Sequence, residues 1–288
     1  MTARIQSPKM GPMATDGPAE LEAPDRKQAL RGVFDRAAGT YGGVRYFPIL
    51  GRWLAEVGEV APGARVLDVA CGRGAALFAA AERAGVSGHV TGIDLSDGMV
   101  AETATAAARL GLEQVDVLQM DAEQLEFADE SFDAVLSGFS LQFLADLDRA
   151  LSGFRRVLRP GGRLAVTTWG DDDARWAWFD DLRASYDAVV KLRSQSLEQP
   201  GELIARLQGA GFEEARVVTR ELEMVYPDAE EWWTMQWSIS GRAGMERLGP
   251  DRLAQFKHEV FARMEPLREA DGFHDRLTAH CATGARSR

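Results

Sequence analysis

The chain has 288 residues, 45% hydrophobic and 27% charged, which excludes a disordered or fibrous protein and allows one large α/β domain or two smaller ones. Its 33 Lys and Arg stand against 44 Asp and Glu, a net charge of −11. Such acidity argues against nucleic-acid binding and against a polybasic membrane anchor, both of which need cations to meet phosphates.

Residues 1–27 are rich in Pro, Ala, Gly and charge, lack the compact apolar stretch of a secretory signal, and read as a flexible tail. Residues 28–62 read as two N-terminal helices, with Leu30, Val33, Phe34 and Ala37 on one face and Leu50, Trp53, Leu54 and Val57 on another. From Arg65 the period changes. Short apolar runs at Val66–Ala70, His89–Ile93, Val115–Met120, Phe132–Ser137 and Arg163–Trp169 predict five strands, with helices between them. Ser96 is placed to cap the helix through Met99, and Pro160-Gly161-Gly162 ends the helix before the fifth strand. Residues 63–170 thus form an α/β core. An insertion over 171–200, a core continuation over 201–226, a helical insertion over 227–270 and a last strand with its tail over 271–288 complete the reading. Strands alternating with helices give a doubly wound, mostly parallel sheet, whose ligands sit beyond the carboxyl ends of the strands where the order reverses.

That rule directs attention to Asp68-Val69-Ala70-Cys71-Gly72-Arg73-Gly74 and to Asp94 at the end of the next strand. Gly72 and Gly74 let the backbone turn without a Cβ in the way of a ligand. A carboxylate about 20 residues beyond such glycines is the spacing that puts an acid on a ribose diol. A dinucleotide site would need glycine at position 77, where Leu77 stands, so a nicotinamide dehydrogenase is disfavoured. Two cysteines, Cys71 and Cys281, cannot build a disulfide framework, and no His/Cys cluster has ligand spacing. A reducing, cytoplasmic setting and no metal follow as expectations. No apolar run reaches the ~18 residues of a membrane span.

The motif around Gly72 resembles motif I of the class I S-adenosylmethionine-dependent methyltransferases, in particular the small-molecule branch that includes the ubiquinone and menaquinone enzymes. Gly92-Ile93-Asp94-Leu95-Ser96 followed by Met99, Met120-Asp121-Ala122-Glu123, Phe132-Asp133-Ala134-Val135, and Arg155 to Gly162 match its later signatures in order. The likeness spans about Phe34 to Trp169. It implies a Rossmann-like, mostly parallel seven-stranded sheet with helical lid insertions, and S-adenosylmethionine as cofactor, leaving as S-adenosylhomocysteine. It further implies that Asp94 takes both ribose hydroxyls, Asp121 and the amide of Ala122 take the adenine, and Leu95 and Met99 pack on its faces. Gly72, Gly74 and the carbonyl of Ala70 would hold the amino-acid end, Asp68 would order that loop, Ser137 would contact the cofactor, and Tyr41 would close over the carboxylate. Ala70 departs from the glycine common in the family. Asp121 could instead cap a helix, Met99 could be core, and Cys71 reads as an inert small hydrophobe.

The acceptor is expected under the helices outside the sheet, with Trp233 and Trp237 on one helix face there, and the resemblance puts Gln142 and Ser140, just past the fourth strand, and Trp169, ending the fifth, near the transferable methyl. An equal alternative is that the lid's aromatic stripes only dock it on the sheet. The reaction read from this is methyl transfer to a small, hydrophobic or aromatic natural product or quinone-like acceptor, by a monomer or homodimer. Methylation of a carrier-bound acyl carboxylate, and a non-methylating enzyme or binding scaffold that keeps the pocket, are the alternatives. His274 and His258 are the nearest candidates for a base, and neither is assigned.

Overall fold

The computed structural model describes residues 23–195 and 197–288; the expected tail lies outside the described residues up to position 22. Its remaining residues are helical, because α1 (Ala23–Tyr41) begins earlier than the apolar pattern shows. α2 (Tyr46–Val57) follows, then β1 (Arg65–Val69), α3 (Ala75–Ala84), β2 (His89–Asp94), α4 (Asp97–Arg109) and β3 (Val115–Gln119). The chain continues through β4 (Phe132–Gly138), α5 (Leu147–Val157), β5 (Leu158–Trp169), α6 (Trp178–Ser185), α7 (Pro200–Gly209) and β6 (Phe212–Tyr226). Three helices, α8 (Ala229–Trp237), α9 (Arg242–Met245) and α10 (Gly249–Met264), precede the short β7 (Arg268–Glu269) and the long β8 (Gly272–Arg286).

All strands join one sheet in the order β3-β2-β1-β4-β5-β8-β6, with β7 paired to β8. β1 to β5 are parallel; β8 runs antiparallel between β5 and β6. The path steps outward from β1 through β2 to β3, then returns to the other side of β1 for β4. This makes the tips of β1 and β4 the topological switch point, where a crevice opens.

Pleating decides what each strand residue meets, since successive side chains face opposite layers. Val66 packs with α2 and α3, while Leu67 and Val69 pack on the layer that includes α5 and α7. Asp68 therefore shares the α3 side with Val66. Ser96 caps α4 as its position predicts, its Oγ accepting from the Met99 N–H at 3.1 Å. β6 and β8 are each 15 residues long and lie within the stretches expected for the core continuation and the last strand. Their far half carries the helical insertion, so Phe273, Trp232, Phe256 and Val260 join the α2 side of the core. Among the described residues no helix is long and apolar enough to cross a membrane.

α2 and α3 lie close because Gly51 has no side chain: a Cβ there would fall 2.3 Å from the Ala75 carbonyl oxygen. Backbone stands on both sides, so the helices must part to admit a methyl group. Gly51→Ala should cost about 1–3 kcal/mol or more, read as a lower urea midpoint at unchanged slope. Arg52→Ala, one residue on and exposed, should stay within about 0.5 kcal/mol of the parent.

Candidate functional site

β1 ends in a turn built on left-handed backbone: Ala70, Gly72 and Gly74 have φ of 55°, 52° and 83°. Glycine takes this conformation at no steric cost, whereas an L-residue loses roughly 1–2 kcal/mol. Ala70 bears that strain with the smallest possible side chain. The turn is tied down from three sides. The Cys71 N–H donates to the Ile93 carbonyl at 2.9 Å, the Gly72 N–H donates to Asp94 Oδ2 at 2.9 Å, and the Thr103 hydroxyl donates to the Gly72 carbonyl at 2.7 Å. Arg73 reaches back to the Ala38 carbonyl and to Glu102, fastening α1 and α4 to the same turn.

A cavity opens in front of this turn. Ala70, Gly72, Asp94, Leu95, Met99, Asp121, Ala122 and Tyr41 all line it, together with Phe34, Phe139 and Ser140. Eight of the eleven residues that the resemblance assigns to the cofactor are thus brought to one wall. The other three lie off it. Asp68 is buried beneath the turn, accepting the Leu77 N–H; its Oδ2 has no partner among the described residues. Gly74 begins α3. Ser137 does not reach the cavity: its Oγ is fully buried, bonded to the Val69 carbonyl at 3.0 Å and to Ser140, and Ser140, also buried, lines the cavity instead.

Asp94 keeps capacity for a ligand. Oδ1 accepts the Ser96 N–H and Oδ2 the Gly72 N–H, both at 2.9 Å, and each carboxylate oxygen has a second lone pair. Asp121 is not a helix cap. Its Oδ1 accepts the Glu123 N–H in a turn at 2.9 Å, and its Oδ2 pairs with Lys27 of α1 at 2.7 Å. Lys27 also meets Glu123 at 3.0 Å, so α1 crosses the outer end of the cavity and covers it. Sequence reading missed Lys27 because it placed that residue in the tail.

A second cavity adjoins the first and shares Phe34, Tyr41, Phe139 and Phe143 with it. Part of its wall is aromatic, from Tyr46, Phe47, Trp169, Trp176, Phe179 and Trp232, and the rest carries five aspartates and three arginines. Phe139 stacks on Trp169 with centroids 4.0 Å apart, and Tyr41 stacks on Phe47 at 4.8 Å. Gln142 and Trp169 line this cavity as expected. Trp233 and Trp237 do not. A helix turns about 100° per residue, and the face of α8 toward the cavity is Trp232, Met235, Gln236 and Ile239 just beyond its end. Trp233 is buried against Phe256 and Phe261, and Trp237 lies under Arg242. Neither histidine considered as a base lines either of these two cavities: His258 is exposed on α10, and His274 bonds Glu223 and Asp271. Asp275, not singled out from sequence, does. Strand alternation from Phe273 through Leu277 could have shown it on the apolar face.

Burial pushes the Asp68 carboxyl up to about 8, against the opposing Leu77 N–H. It likewise pushes Asp94 up to about 6, against the N–H groups of Ser96 and Gly72. Raised carboxyl values mean that the folded chain holds more protons than the unfolded one, so stability falls as pH rises through the interval. The ligand-free protein should therefore melt higher at pH 5 than at pH 8 by differential scanning calorimetry. Asp94→Asn should flatten the part of that slope between about pH 4 and 6.

Residues 67–166 match the family model described as a methyltransferase domain. The chain is 36% identical over 270 residues to the nocamycin O-methyltransferase of Saccharothrix syringae, covering 88% of this chain and 92% of that protein. It is 34% identical over 213 residues to the aklanonic acid methyltransferase DauC of Streptomyces sp. (strain C5), covering 67% and 96%. The crystal structure of the [4+2]-cyclase SpnF superposes with a TM-score of 0.54 at 27% identity, covering 83% of this chain and 80% of that one. With its switch-point cavity and ordered motifs, the chain belongs to the class I S-adenosylmethionine-dependent methyltransferases.

Proposed function

We propose that the cavity in front of the β1 turn holds S-adenosylmethionine and that the aromatic cavity beside it holds the methyl acceptor, a small, largely apolar natural product or quinone-like compound. The observation that carries this is the shared wall: Phe139, Tyr41, Phe34 and Phe143 border both cavities, so two bound molecules would meet there. The residues present suit the cofactor. Asp94 offers two free lone pairs to a ribose diol, Leu95, Met99 and Ala122 give apolar surface for a purine, and Asp121 can accept from its amino group. Asp68 has a buried oxygen without a partner among the described residues, beneath the loop that would take the amino-acid end, and Tyr41 stands over Gly72.

S-adenosylmethionine, when bound, supplies an already activated methyl group. The protein's task is orientation, which can lower a barrier by roughly 7–11 kcal/mol, and exclusion of water. Phe139 and Trp169 present a flat stacked surface on which a planar acceptor can be held, with Gln142 as a nearby polar group. Names among the relatives support a natural-product acceptor: nocamycin for one, aklanonic acid for another. The acidic net charge and two buried free cysteines suit a cytoplasmic enzyme without nucleic-acid partners, working as a monomer or homodimer.

The likeness to a [4+2]-cyclase favours one other reading, a rearrangement catalysed beside an unused cofactor pocket. Release of S-adenosylhomocysteine in step with product separates the two: product formed without it would overturn methyl transfer. For the pocket itself, Asp94→Ala removes two charge-assisted hydrogen bonds of about 1.5–3 kcal/mol each. Calorimetric affinity for S-adenosylmethionine should fall roughly 10²–10⁴-fold while the melting transition persists. Parental affinity in that variant would place the ribose elsewhere.

A further inference from the structure

The aromatic cavity contains a carboxylate that the described residues leave without a partner. Phe273, Asp275, Leu277 and Ala279 alternate along β8 onto the face that packs into the core, so Asp275 occupies an apolar position. The backbone on either side of it is pinned. Trp176 Nε1 donates to the His274 carbonyl at 2.9 Å, and the Arg276 N–H donates to Asp173 at 3.0 Å. Asp173 is itself gripped by Arg175 at 2.5 Å. Asp275 makes no hydrogen bond or ion pair with any described residue, yet it lines the cavity. The other acids bordering that space differ: Asp171, Asp172 and Asp180 are exposed.

We propose that Asp275 is the base that takes the acceptor's hydroxyl proton during methyl transfer, an inference that rests on the methyl-transfer reading above. The acceptor oxygen forms its bond to the methyl carbon as the methyl–sulfur bond breaks. The hydroxyl proton passes to the Asp275 carboxylate, and the sulfonium becomes a neutral thioether, so charge and atoms balance. Six groups surround this carboxyl: Asp172, Asp173 and Arg175 after β5, Glu223 and Tyr226 on β6, and Tyr46 on α2. Burial, reinforced by the charge of Asp173 and opposed by Arg175, pushes Asp275 up to about 7. A base tuned near the working pH combines a useful ionised fraction with driving force for proton uptake. Its ionised form gains population as pH rises, so turnover should climb through about pH 7 and then level off.

The test uses the full chain and whichever compound, in a panel of phenols, naphthols and hydroxyanthraquinones, releases most S-adenosylhomocysteine. Asp275→Asn should lower the single-turnover rate about 10²–10⁴-fold, with S-adenosylmethionine affinity and melting temperature retained. The rise of rate with pH should disappear in this variant and return, displaced, in Asp275→Glu. Independently of activity, protein labelled with ¹³C at the aspartate carboxyl should show a resonance titrating near pH 7 that Asp275→Asn removes. A variant rate within about threefold of the parent, an unchanged pH limb, or no such resonance would overturn the base while leaving methyl transfer intact. Conversion of the acceptor without S-adenosylhomocysteine would instead overturn the reading beneath it.

Discussion

The bond from the Gly72 N–H to Asp94 fixes the distance between the tips of two neighbouring strands, and the site depends on that distance. β1 and β2 already run in register, Val69 beside Ile93, so the strand ends arrive level. The 2.9 Å hydrogen bond then clamps the turn after β1 against the carboxylate after β2. It acts together with the Cys71 N–H on the Ile93 carbonyl and the Thr103 hydroxyl on the Gly72 carbonyl to hold a left-handed turn in which Ala70 carries strain. With it, Asp94 is held by its outer lone pairs and faces the cavity with the others. One carboxylate thus both builds the wall and remains available on it. Its place in low dielectric costs the ligand-free protein stability, which a hydroxyl pair bound there would offset.

Where chain-local signals exist, the sequence made the fold readable. Period-two and period-3.6 patterns separate the five parallel strands from their helices, and Ser96 marks the start of α4 at the residue that caps it. The wall of the first cavity was legible for the same reason: its residues sit at strand ends, and strand ends of a doubly wound sheet converge by topology. Ser137 shows how narrow that inference is. It stays buried at the end of β4, while Ser140, which the family pattern puts near the transferable methyl, reaches the cavity. A strand's face can be assigned from alternation, but where it stops cannot be read to a single residue.

The lid was less legible because its geometry is set by packing between distant segments. Trp232, Trp233 and Trp237 lie on one short helix, and nothing local says which side of α8 meets the sheet. The choice is made by α10, whose Phe256 takes Trp233, and by Trp176, which stacks on Trp232 at 4.9 Å. These partners are separated from α8 by about 20 to 55 residues of sequence. The same holds for α1, where Lys27 finds its acids only because α1 crosses the sheet beside β3.

Phe139 joins the two halves of the site. Its φ of 54° is a conformation that a bulky L-residue adopts at a cost on the order of 1–3 kcal/mol. The neighbours that hold it there are specific: its N–H donates to the Thr167 carbonyl at 2.9 Å, and its ring lies on Trp169. An aromatic pair of this kind returns about 0.5–1.5 kcal/mol, so stacking offsets part of the strain without removing it. What the strain accomplishes is directional. With extended backbone, the residue after β4 would continue the pleat and carry its side chain along the strand; the left-handed turn sends the ring across the crevice instead. It then stands between the cavity formed by strand tips and the cavity formed by the lid, touching both. The boundary at which the two bound molecules would meet is thus made by a residue held away from its preferred backbone.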